Sequence, residues 1–121
     1  DSAGPAGEGV MIVSLPHWHE PTPQLKKLES LLRDAGKKPS GFGEMLGATA
    51  VVALTAGLDK VTGPVTGEKL RDALESLGKF DNPYIDGQLM YSKDSHEGIT
   101  ESALKVLTIK NGKFVGAGSS R

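Results

Sequence analysis

Phe42-Gly43-Glu44-Met45-Leu46-Gly47-Ala48-Thr49-Ala50-Val51-Val52-Ala53-Leu54-Thr55-Ala56-Gly57-Leu58 decides how this chain is read, because after Glu44 only Thr49 and Thr55 interrupt an apolar run. The run is too long for an ordinary strand, so it predicts a helix over Phe42 to Leu58. A helix apolar all round must be covered on most of its sides. Its three glycines each cost about 1 kcal/mol against alanine in a helix interior, which is tolerable only where a neighbour approaches closely. The uncharged stretch Met45 to Leu58 is 14 residues, below the ~17 needed to cross a bilayer. It is therefore expected to be a buried helix that needs partners.

The flanking sequence supplies few of them. Upstream, Thr22 can cap a helix with Pro23 in its first turn, and Leu25, Leu28, Leu31, Leu32 and Ala35 recur at helical spacing before Gly36 ends it. Downstream, Thr66 can cap a third helix, Gly67 to Leu77, with Gly78 as its stop. Val10 to Leu15 reads as a strand covered on both faces, as in a parallel sheet, and Pro16 stops it. Ile85 to Tyr91 alternates partially and Ala103 to Lys110 more plainly, followed by the hairpin signal Asn111-Gly112 and a return strand from Phe114. Residues 1–9 are expected to be a flexible lead-in and residues 116–121 a frayed tail. Three helices with so few strands leave the apolar helix under-covered, so the chain is expected to be incomplete or oligomeric.

Composition excludes several functions. The chain of 121 residues carries 14 basic and 15 acidic side chains, so it has no field to attract nucleic acid or an anionic membrane. Aromatic residues are only 5%, too sparse for a base-stacking platform. With no cysteine, neither a disulfide framework nor a thiolate zinc site can form. The start at Asp1, without an initiator methionine or signal peptide, is read as processed, proteolysed or engineered.

The densest group of chemically capable side chains is His17-Trp18-His19-Glu20, in a connector whose prolines (Pro16, Pro21, Pro23) favour a stiff extended path. On an extended chain His17 and His19 point the same way, and a metal there would need a third donor from Asp94, His96 or Glu97. Solvated loop residues packed around Trp18 are the preferred reading, with no metal and no cofactor. Ser40-Gly41-Phe42-Gly43 leads into the apolar helix, where free backbone N–H groups can receive a carboxylate, and Glu44 complements the helix dipole. No phosphate-binding loop, dinucleotide fingerprint, nucleophile turn or calcium loop is complete, and Asp94 to Gly98 reads as a turn. No catalytic residue is assigned.

The order of elements, carried by Glu8-Gly9-Val10-Met11-Ile12-Val13, by Gly67-Glu68-Lys69-Leu70-Arg71-Asp72-Ala73-Leu74-Glu75-Ser76-Leu77 and by Val106-Leu107-Thr108-Ile109-Lys110-Asn111-Gly112-Lys113-Phe114, resembles the C-terminal part of type I periplasmic binding proteins, the substrate-binding proteins of branched-chain amino acid ABC transporters. The resemblance implies an α/β, two-lobed fold of which residues 10–115 are one segment, with about three helices and short strands, and with 16–23 as hinge. It implies a periplasmic or extracytoplasmic protein, not an enzyme, that captures a branched-chain amino acid or related carboxylate by lobe closure and delivers it to a membrane permease. Under it Trp18 closes one wall of the pocket, Phe42 encloses the ligand side chain and His17 joins them as a ligand-binding residue. Two rival readings stand beside it. One is a self-standing α/β interaction module whose second copy covers Met45 to Leu58. The other is a hydrolytic or metal-dependent enzyme using His17, His19 and Glu20.

Overall fold

The computed structural model describes residues 4–118. Residues 1–3 of the expected lead-in and 119–121 of the expected tail lie outside them. Two three-stranded antiparallel sheets and three helices make up the fold, and the chain passes from one sheet to the helices and second sheet and back again. The terminal sheet has the order β1 (Met11–Ser14), β5 (Lys105–Lys110), β6 (Lys113–Gly116), and the second is the meander β2 (Gly78–Asp81), β3 (Gln88–Ser92), β4 (Ser95–Ile99).

The helices form where their caps and stripes place them. α1 (Pro23–Asp34) starts at Thr22, whose hydroxyl accepts the Leu25 N–H at 3.2 Å. It ends where Gly36, at φ +71°, lets its own N–H reach Arg33 O and the Lys37 N–H reach Leu32 O, a Schellman stop. α3 (Gly67–Glu75) is capped by Thr66, which accepts from the Lys69 N–H. α2 (Gly43–Leu58) buries Met45, Thr49, Ala53 and Gly57, a single i, i+4 stripe. α3 packs against the Gly57 end of that stripe and against β3.

Opposite that stripe α2 is open. Leu46, Val51, Leu54 and Leu58 are 38 to 63% exposed, so the described residues cover one face of a helix whose sequence asks for cover on most sides. The glycines divide accordingly. A Cβ on Gly57 would lie 2.8 Å from the Leu74 side chain, so α3 approaches closest there, whereas Gly47 has nothing within 4 Å. Gly47→Ala is therefore expected to raise the stability of this chain by about 0.5 to 1 kcal/mol, read from urea unfolding. Destabilisation would mean that the open face is already occupied.

Several expectations are corrected. β1 is not a parallel strand covered on both faces: it pairs antiparallel with β5, and Met11 and Val13 face outward at 64 and 68% exposed. Apolar composition signals the cover a strand requires, but the pairing is set by a partner almost a hundred residues away. Ser95 to Gly98, expected within a turn that begins at Asp94, lie instead in strand β4, with only Lys93 and Asp94 forming the turn. β2 has no counterpart in the sequence reading, and Ile85 is a core residue in an irregular stretch ahead of β3. Part of the lead-in is regular, since Gly4–Gly7 makes a 3₁₀ turn, the Gly9 N–H donates to Ile109 O, and Glu8 accepts from the Asn111 N–H. The β5–β6 hairpin forms where expected, with Asn111 and Gly112 both at positive φ.

The main core, Leu15, Leu25, Leu28, Met45, Ile85 and Ala103, draws on α1, α2, the stretch ahead of β3 and the segments leading out of and into the terminal sheet, with none of that sheet's own strand residues. Leu15 and Ala103 belong to the two segments that join these bodies, so the junction is itself packed.

Candidate functional site

Two stretches of chain cross between the bodies: residues 15–22, from β1 to α1, and residues 100–104, from β4 to β5. The first is bounded by prolines but is not an extended path. The Glu20 N–H donates to His17 O at 3.1 Å, closing a turn over the four residues between Pro16 and Pro21. That turn brings the His17 and His19 rings to 4.4 Å, the juxtaposition expected of an extended chain but reached by another backbone route.

The turn is stitched in two directions. Toward the helices, Trp18 packs on the main core and its Nε1–H donates to Gly41 O at 2.8 Å. Toward the terminal sheet, the Phe114 N–H donates to His19 Nδ1 at 3.1 Å and the Gly116 N–H to Glu20 Oε2 at 2.7 Å. Around this turn four rings gather. His17 lies 6.3 Å from Phe42, edge to face, and 4.8 Å from Phe114, while His19 stacks on Phe114 at 6.4 Å with planes 12° apart. Burial, and then the nearby charge of His19, hold His17 below its usual imidazole value, which favours the neutral ring.

Of the residues singled out in the sequence, His17 and Phe42 therefore meet, and Trp18 points away from them into the junction. Phe114 was not singled out as a site residue. It is 97 positions from His17, and only the return strand expected after Asn111-Gly112 marked it at all. Asp94, His96 and Glu97 are not brought to the two histidines: His96 Nε2 bonds Glu75 Oε1 at 3.1 Å. Among the described residues no group of three or more His, Cys, Asp or Glu is arranged to hold a metal.

The α2 start is occupied from within. Glu44 reaches back to accept from the Ser40 N–H, the Ser40 hydroxyl and the Gly41 N–H, at 3.1, 2.8 and 3.2 Å. An internal carboxylate thus takes amides that the sequence reading left free for a ligand. These bonds, the Ser40 hydroxyl first, hold Glu44 below the ordinary carboxylate value. A depressed folded-state value means the contribution is complete above the unfolded-state value and is lost as pH falls through the folded one. Glu44→Gln is accordingly expected to flatten the fall in melting temperature below about pH 4.5, measured by thermal scans from pH 7 to pH 3. An unchanged slope would contradict it.

The second crossing is held by contact. Gly87, at φ +89°, lies so close to the Ser102–Ala103 backbone that a Cβ would stand 2.6 Å from Ala103 N. Lys105 Nζ reaches Asp86 Oδ2 at 3.5 Å, linking β5 to the same stretch. A cleft of about 570 Å³ opens between the crossings and the terminal sheet, lined by His17, Glu20, Leu104, Val106, Phe114 and Ala117 among others.

No family model matches the chain, and no curated protein matches it in sequence. Two solved structures do match in fold. A possible leucine/isoleucine/valine-binding protein from Rhodopirellula baltica SH 1 superposes with a TM-score of 0.75 at 20% identity, over 95% of this chain and 31% of that one. A branched-chain amino acid ABC transporter protein from Thermus thermophilus, solved with bound valine, superposes with a TM-score of 0.68 at 25% identity, over 95% of this chain and 34% of that one. The chain spans about a third of the length of the structures it matches, and over that third it has the α/β fold of a type I periplasmic binding protein.

Proposed function

We propose that this chain is the C-terminal portion of an extracytoplasmic solute-binding protein of an ABC importer, which captures an amino-acid-like or other small carboxylate ligand by lobe closure and presents it to a membrane permease. The observation that carries the proposal is the pair of crossings between two separately hydrogen-bonded sheets, with functional side chains gathered at the first. A protein that closes on a ligand needs two bodies, a joint between them and groups that contact ligand from both sides. Phe42 belongs to the helical body, Phe114 to the terminal sheet and His17 to the crossing between them. In this reading Phe42 and His17 present an apolar wall to the ligand, and Trp18 fixes the crossing that carries them. The residues that grip the ligand's charged groups belong to other segments of the two-lobed protein, and the role is binding without chemistry.

The test is calorimetric titration of the two-lobed protein carrying this segment with valine, leucine, aromatic amino acids and simple carboxylic acids. Micromolar binding of at least one, weakened tenfold or more by Phe42→Ala, is expected; no binding across the panel would overturn the proposal.

The open face of α2 favours a second reading, in which two copies of the chain cover Leu46, Val51, Leu54 and Leu58 for one another. Light scattering separates the two: a monodisperse dimer dispersed by Val51→Lys supports self-association, and a monomer excludes it.

A further inference from the structure

We propose that His19 and Glu20 form a pH-sensitive latch, in which their side chains close the free edge of β6 and fasten the first crossing to the β5–β6 hairpin. Among the described residues β6 is an edge strand, with β5 as its sheet neighbour. A two-residue hairpin turn makes Lys110 and Lys113 a hydrogen-bonded pair, so alternation along β6 turns the N–H groups of Phe114 and Gly116 outward. An edge left in that state invites pairing with other chains. Here both outward donors are taken by side chains two successive connector residues supply: His19 Nδ1 at 3.1 Å from Phe114 N, and Glu20 Oε2 at 2.7 Å from Gly116 N. The two residues stand in for a further strand.

The two halves of the latch differ chemically. An imidazole nitrogen accepts only while it carries no proton, so the bond from Phe114 requires neutral His19 protonated on Nε2. Acidification places a proton on Nδ1 and sets donor against donor. His17 meets the same condition, since its Nδ1 accepts the His19 backbone N–H at 3.3 Å, and two imidazolium rings 4.4 Å apart also repel. Glu20 accepts through a carboxylate oxygen, which offers a lone pair whether or not the imidazoles carry an added proton. Other charges near His19 are Glu20 on its own segment, Glu8 across a cleft shared with Phe114 and Asn111, and Lys110 and Lys113 at the hairpin end. An added proton on His19 therefore opens the histidine half, and the glutamate half keeps its acceptor.

Amide hydrogen exchange on this chain, expressed as protection factors at about pH 7.5 and pH 5, tests the latch. Val115, whose N–H faces β5, serves as the internal mark of an intact hairpin. Phe114 protection is expected to fall about three- to tenfold at the lower pH while Gly116 and Val115 hold. His19→Ala removes Phe114 protection at both pH values, Glu20→Ala removes that of Gly116, and His19→Gln, which accepts without titrating, retains Phe114 protection at pH 5. Phe114 protection equal at the two pH values, or unaffected by His19→Ala with Val115 still protected, overturns the proposal. None of these readings depends on solute binding, so the latch and the proposed function fail separately.

Discussion

Gly87→Ala is expected to cost about 3 to 5 kcal/mol, more than any other single methyl group added to this chain. Two effects combine at that position. Its φ of +89° lies where side-chain-bearing residues are strained, and the new Cβ would stand 2.6 Å from Ala103 N and 2.8 Å from Ser102 C. A flexible side chain could rotate away from such a contact, but these are backbone atoms of the second crossing. Relief requires moving residues 102–103, and Ala103 is 3% exposed in the main core. The cost therefore spreads into Leu15, Ile85 and Met45, which share that cluster. Urea unfolding of the variant measures it, and a change below about 1 kcal/mol would show that the crossing yields freely.

Leu25→Ala is expected to cost about 2 to 5 kcal/mol by cavity formation. Leu25 is fully buried and lies in the cluster that receives both crossings. The informative comparison is Val51→Ala on the open face of α2. A residue 63% exposed has little contact to lose, and its truncation should stay within about 0.5 kcal/mol. Equal costs at the two positions would mean that the apolar helix is covered in solution by something other than the described residues.

The helices were legible in the sequence because their signals are local. Thr22, Thr66 and Gly36 act within one turn of themselves, and each does in the structure what its position implies. The hairpin at Asn111-Gly112 was legible for the same reason. Long-range pairing was not. Nothing within Met11–Ser14 indicates that its neighbour is Lys105–Lys110, and the apolar run was read as a doubly covered parallel strand. β2 and β4 escaped because Gly78-Lys79-Phe80-Asp81 and Ser95-His96-Glu97-Gly98-Ile99 are short, polar and glycine-bearing, and become strands only by pairing with β3. At the site, the cluster His17 to Glu20 was visible as a concentration of side chains, while Phe114 and the amides that receive His19 and Glu20 were not. The under-covered helix was read correctly, since its demand for apolar contact exceeds what the neighbouring elements supply.

The paired crossings also carry a mechanical consequence. A single strand joining two rigid bodies permits them to swivel about its own axis and to bend in any direction. Two strands set apart suppress that torsion and leave a preferred rotation about the line through both. The first crossing is fastened to both bodies, by Trp18 and by Glu20, and the second is wedged against Gly87. Any rocking of one body against the other must therefore load both points at once, so a substitution at either should alter the stiffness of the whole joint.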